Sequence, residues 1–140
     1  MRIVVLTALL SISIAAPVSA QSCFGRFYTE EHMSARPNRT VEEVFFGTLR
    51  GTPILQMRRA SDDSYSWSEA RCNEGGGALA CTVQSGSGAF IVEAQEDGTL
   101  ILGLGPNGVT LNDGVGPITV NPRETDDQYF RLYAGRGCLN

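Results

Sequence analysis

No lysine occurs anywhere in this 140-residue sequence; all eleven basic residues are arginine. Codon usage in a GC-rich genome produces that bias without selection, whereas selection of forked donors for anionic ligands would gather the arginines together. Arg58-Arg59 is the only adjacent pair and the formal net charge is −4, so nucleic-acid binding is disfavoured. Histidine is nearly absent as well: His32 stands alone. With one histidine and no Cys-x-x-Cys spacing, the sequence offers no zinc site. The alternating acids and distal glutamate of a calcium loop are missing, as is a Gly-x-Ser-x-Gly nucleophile turn. The glycines of "NEGGGA", Asn73 to Ala78, precede neither Lys-Ser/Thr nor a helix, and so read as a hairpin loop rather than a phosphate cradle. No metal and no cofactor is implied.

Long apolar runs are scarce too. The only one, Ile3 to Val18, follows the positive charge of Arg2. It falls short of the roughly 18 to 20 residues of a spanning helix, and no stop-transfer pattern comes after it. Val18-Ser19-Ala20 supplies the small residues that a signal peptidase reads. Residues 1–20 are therefore expected to be a signal peptide cleaved near Ala20. The exported product is expected in the periplasm or the extracellular space, with no membrane span. Residues 21–140 are read as a single β-barrel-like domain, since no linker, charge block or repeat divides them. Four cysteines, Cys23, Cys72, Cys81 and Cys138, lie in that part. An even count in an oxidising compartment predicts two disulfides. Three connectivities satisfy the count; the preferred one joins Cys72 to Cys81 across a short loop and Cys23 to Cys138 across the chain ends.

What is abundant is glycine, 16 residues, all after the leader and placed as punctuation between short runs of Val, Ile, Leu, Phe and Tyr. That is the pattern of many short strands. Runs at 53–59, 64–72, 78–84 and 128–133 alternate with period two. Asp97-Gly98, Asn107-Gly108 and Asp113-Gly114 read as hairpin turns separating 88–95, 99–104, 109–112 and 117–120. "TVEEVFFGTL" has the Thr40–Glu43 spacing of a capping box, yet its β-branched and aromatic residues favour a strand. "EEHMSARP" reads as a helical turn ended by Pro37. Seven to nine short antiparallel strands in about 120 residues predict an all-β fold, a small meandering barrel or a sandwich.

His32, beside Glu30 and Glu31, has the ingredients of an oriented general base. The paired acids Asp126 and Asp127 could share a proton only from a loop, because consecutive strand residues face opposite ways. Arg131 is a candidate partner for either acid. These four residues form an alternative polar site. In the last run, Phe130 and Leu132 share a face expected inside, while Tyr129, Arg131 and Tyr133 share the outer one. In "SYSWSEARC", parity with Cys72 sends Tyr65, Trp67, Glu69 and Arg71 outward, as a ligand- or partner-binding patch. A β-bulge near the glycines would reverse the parity and bury Trp67.

Three stretches carry a resemblance: "YTEEHMSARPNRTV", "CNEGGGALAC" and "DDQYFRLYAGRGC". Together they resemble a group of small exported bacterial β-rich proteins of uncharacterised function with an Asp-Asp-x-x-Phe-Arg-Leu ending. The matching positions are Tyr28, His32, Pro37, Cys72, Cys81, Asp126, Asp127, Phe130, Arg131, Leu132 and Cys138. The resemblance implies a β-rich exported domain and brings no activity with it. In size, export, barrel character and disulfide use the chain is also similar to small periplasmic inhibitors of lysozymes and proteases, whose recognition motifs it lacks. The expectation is thus a non-catalytic exported binding module for a protein or small-molecule ligand. The alternatives are a periplasmic hydrolase using His32 with an acid, or an inhibitor of a partner enzyme.

Overall fold

Ten strands and one short helix form from these alternating runs in the computed structural model, which describes residues 23–135. In chain order they are β1 (Cys23–Phe27), α1 (Glu30–Ala35), β2 (Val41–Leu49), β3 (Thr52–Arg59), β4 (Ser66–Gly75), β5 (Ala78–Val83), β6 (Gly86–Ala94), β7 (Leu100–Leu111), β8 (Asp113–Gly114), β9 (Ile118–Val120) and β10 (Tyr129–Ala134). The expected leader and Cys138 lie outside the described residues.

Strands β1 to β7 pair consecutively and antiparallel, and β10 pairs with both β1 and β7. This closes an eight-stranded meandering barrel, with β8 on β4 and β9 on β7 as two short additions. The all-β barrel read from the sequence is the fold. β10 closes it with its two halves: Tyr129–Leu132 lie against Gly103–Leu100, and Tyr133–Ala134 against Gly25–Phe24. Such a stagger is what tilted strands require when a sheet meets itself.

Period-two alternation fills the interior. Val44, Phe46, Leu55, Met57, Ala70, Cys81, Val83, Phe90, Val92, Leu102, Leu104, Phe130 and Leu132 belong to one buried cluster. Each large apolar side chain buried this way contributes about 1.5–3 kcal/mol. The middle of the barrel is packed, not hollow. Phe130 and Leu132 point in and Tyr129 and Arg131 point out, as the sequence predicts. β2 is indeed a strand, and "EEHMSA" is a helical turn whose Thr29 cap accepts the His32 amide at 3.2 Å. The Thr40 hydroxyl caps no helix; it donates to Asp127 instead.

Two turn assignments are corrected, and one of them, Asp113-Gly114, is the short strand β8 laid on β4. Asn107-Gly108 makes no hairpin, because β7 runs unbroken through it. Opposite it, β6 advances only from Gly88 to Phe90 while β7 goes from Val109 back to Leu104. Gly108, at φ +67°, forms a bulge packed so tightly that a Cβ would lie 1.9 Å from the Val120 carbonyl oxygen. The positive φ that signals a hairpin serves a bulge equally well. Past that bulge β7 stays paired with β6 and takes β9 on its other edge, and Val109, Leu111, Ile118 and Val120 join the same core.

Cys72 and Cys81 are directly paired across the β4–β5 hairpin and form a disulfide with Cα atoms 4.1 Å apart. Gly76 and Gly77, both at positive φ, supply its two-residue turn. Cys23 is itself disulfide-bonded, and the Gly135 amide donates to its carbonyl at 2.9 Å, so the two ends of the barrel chain meet. Replacing both Cys72 and Cys81 by alanine is expected to lower stability by about 2.5–3 kcal/mol on the chain-entropy argument for so short a loop. Urea unfolding of the oxidised parent and the double variant measures it. A loss under about 0.5 kcal/mol would mean that the glycine turn alone holds the hairpin register.

Candidate functional site

The strand directions give the barrel two unlike ends. Turns β2–β3, β4–β5 and β6–β7 surround one end, here the mouth, together with the start of β1 and the close of β10. The longer loops and α1 gather at the other.

At the mouth, inward residues near the strand ends have no layer of described residues above them. Phe24, Leu79 and Leu100 pack on the core below and remain partly exposed. With Phe46, Val92, Ala78, Ala94 and the hairpin tip Glu74–Gly77 they line an open cleft of about 590 Å³. The cleft is apolar, and among the described residues Glu74 is its only charged lining residue. Its rim is the glycine turn, whose two strands the Cys72–Cys81 bond joins three residue pairs below Gly75–Ala78. Sequence reasoning missed this site, since each lining residue looks like ordinary core until the strand ends are known.

On the outer wall, the parity argument is borne out. Ser66, Ser68 and Ala70 are buried on the inner side, Glu69 and Arg71 are exposed, and Tyr65 and Trp67 are half-buried on the outside. Ser66 and Ser68 can be inside because each hydroxyl is used: Ser66 donates to the Gly116 carbonyl, and Ser68 accepts the Ser85 amide at 2.8 Å. Trp67 lies opposite Gln56 on one side and Asp113 on the other. Gly114 passes so close that a Cβ there would sit 3.2 Å from the indole Cδ1, so β8 shields part of the ring.

Tyr65 stacks at a tilt on Phe45, 5.9 Å away, beneath the Arg58 guanidinium. Arg58 is the hub of this wall. It reaches Glu43 at 2.7 Å, Glu42 at 3.3 Å and the Asp62 carbonyl at 2.9 Å. The Glu43 hydrogen bond, first among the causes, raises the Arg58 pKa. Burial, aided by Glu43, raises that of Tyr65. Glu43 and Arg58 were not identified from the sequence. The register shift between Val41 and Glu43 brings them together, and no periodicity announces a bulge.

The alternative polar site is dispersed. Asp127 is fully buried, and its carboxylate accepts the Thr40 amide (2.8 Å), the Thr40 hydroxyl (2.7 Å) and the Val41 amide (3.3 Å). It fastens the loop before β10 to the start of β2. Asp126 is exposed; its amide donates to the Asn38 carbonyl and its own carbonyl accepts the Gln128 amide. Arg131 turns away from both acids, to Asp97 at 3.4 Å and the Thr99 hydroxyl at 2.9 Å, because it faces outward on β10. Two adjacent carboxylates in the sequence are thus two unrelated groups in space.

His32 stacks on Tyr28 with ring centroids 4.6 Å apart, and its Nδ1 lies 3.3 Å from an Arg36 nitrogen. Burial and then Arg36, Arg39 and Arg26 hold its pKa below the ordinary histidine value. Its charged neighbours are therefore arginines, where an oriented general base requires a carboxylate. Among the described residues no group of three His, Cys, Asp or Glu side chains is placed to hold a metal ion, and no helix is long and apolar enough to cross a membrane. Neither a protein-family model, nor a curated protein, nor a solved structure matches the chain.

Proposed function

We propose that this chain is an exported, non-catalytic binding module that takes an apolar ligand group into the mouth of its barrel. The open mouth cleft above a packed core carries this reading. Small closed barrels present one concave, preformed surface where the strands end. The ligand chemistry follows from the lining: an apolar moiety held by Phe24, Phe46, Leu79, Val92 and Leu100, with Glu74 at the rim to favour a neutral or cationic head. The Cys72–Cys81 disulfide fits an oxidising location, in line with export behind a signal peptide. The hydrolase reading has less support, because Asp127 is occupied by backbone bonds and His32 sits among arginines. An inhibitor of a partner enzyme would use the outer aromatic wall, and the outward placement of Tyr65 and Trp67 favours that as the second reading.

Titration with the neutral apolar dye N-phenyl-1-naphthylamine tests the proposal. One saturable site is expected in the parent protein. Ala78→Trp or Ala94→Trp, which fill the cleft from its rim outside the core cluster, should abolish it, while Trp67→Ser leaves it intact. Saturable binding that survives both rim substitutions, or none in the parent, rejects the mouth. Loss in Trp67→Ser alone moves the site to the outer wall.

A further inference from the structure

At the end opposite the mouth the barrel wall has a seam. Among the described residues the β1–β10 ladder spans two residue pairs, Phe24–Ala134 and Gly25–Tyr133, so past Gly25 the two strands are not paired with each other. Tyr28, at the far end of β1, fills the seam with its ring and packs toward Phe130 at 6.5 Å. Two guanidiniums lie over that one ring, Arg26 at 4.9 Å and Arg39 at 4.5 Å, and the His32 imidazole stacks on it as well.

The hydrogen bonds of this group do not balance. Arg26 uses one nitrogen on the Tyr133 hydroxyl at 2.9 Å. Its Nε, the Nε and Nη1 of Arg39 and the Nε2 of His32 are all buried without a hydrogen-bond partner. Neither does the charge balance. The acid nearest Arg39 is Asp127, at 3.9 Å, and both its oxygens already serve Thr40 and Val41. Arg36, which caps the C-terminus of α1, adds a further positive charge, while Glu30 and Glu31 on that helix are exposed. Buried polar groups are nearly always satisfied, and a cluster of donors lacking acceptors marks a place made for an ion or water. Here the arginine donors are cationic and forked, the geometry suited to an oxyanion.

We propose that Arg26, Arg39 and His32 form an oxyanion-binding site at the β1–β10 seam, covered by α1. The ligand is a carboxylate, phosphate or sulfate group, free or at the end of a larger molecule. No residue of α1 is fully buried, and Met33 is its apolar contact with the core, so lifting this six-residue helix opens the site at small cost. The site is independent of the barrel mouth. It also predicts a linkage: bound negative charge offsets the arginines that hold His32 low, so the anion raises the His32 pKa. Reciprocally, the anion binds more tightly as pH falls and His32 protonates.

The test is a titration of the isotopically labelled whole protein with sodium sulfate and, separately, sodium acetate, against sodium chloride at matched ionic strength. The side-chain Nε–Hε signals of Arg26 and Arg39 and the ring signals of His32 are followed. Saturable shifts of all three with an upward move of the His32 pKa are expected. Arg39→Gln should weaken binding by about tenfold or more, the equivalent of one charge-assisted hydrogen bond, and Arg71→Gln on the outer wall should not. Response to sulfate alone assigns a phosphate- or sulfate-type ligand; response to acetate alone assigns a carboxylate. Shifts no larger than those in chloride, or a His32 pKa unmoved by either salt, overturn the site and leave water as the acceptor. If Arg39→Gln fails to fold, the parent titration still decides.

Discussion

Asp127→Ala is expected to lower the unfolding free energy by about 3–5 kcal/mol, the cost of removing one member of a buried charged network. At this chain length that corresponds to a fall of roughly 10–20 °C in Tm. The carboxylate has no exposed surface and takes three hydrogen bonds from Thr40 and Val41. Alanine leaves two backbone amides and a hydroxyl without their acceptor and removes the carboxylate nearest the Arg39 charge. Asp127→Asn keeps one carbonyl oxygen and should fall between parent and Ala. Asp126→Ala, at the exposed neighbour, should change stability by less than about 0.5 kcal/mol. Thermal and urea unfolding of the three variants measure the contrast. Equal losses at 126 and 127 would contradict the assignment of Asp127 as the tie between the β10 loop and β2.

Phe90→Ala should be comparably damaging, about 3–5 kcal/mol, as for other large-to-small changes in packed interiors. Phe90 is 1% exposed, stands opposite Cys81 across β5–β6, and meets Phe46 edge-on at 5.8 Å. It forms part of the layer beneath the mouth cleft, so the cavity left behind cannot be filled from solvent without wetting the core. Combining it with Phe46→Ala should cost less than the sum by about 0.5–1.5 kcal/mol, the coupling of an aromatic pair. Unfolding titrations of the two single variants and the double variant provide the cycle. A loss below about 1 kcal/mol for Phe90→Ala would mean that the barrel interior is already hollow at this level.

Local patterning carried the elements a long way. Period-two runs placed β3, β5 and β10 within one residue and β4 within three, because a strand buried on one face must alternate whatever surrounds it. The Cys72–Cys81 link and the outward parity of Tyr65 and Trp67 follow from the same rule, applied to two strands joined by a short glycine turn. Where alternation breaks, the pattern is silent. The β2–β3 turn uses Arg50 at φ +52° with Gly51, and an arginine gives no turn signal. The bulges at Glu43 and Gly108 shift register for reasons that lie on the neighbouring strand.

The sequence by itself determined the all-β class, the face that each long strand turns inward and the proximity of Cys72 to Cys81, since each depends on residues a few positions apart. Only the tertiary structure decided what the polar residues do. Asp126 and Asp127 are adjacent in the chain, yet one faces solvent and the other is locked to Thr40, 87 residues away. Arg131 meets Asp97 from a different hairpin, and Arg26, His32 and Arg39 converge on Tyr28 from a strand, a helix and a loop. Closure of the barrel by β10 sets these distances, and closure depends on stagger summed over eight strands. No local window contains that quantity, so the fold was legible in the sequence while the sites emerged only when the barrel closed.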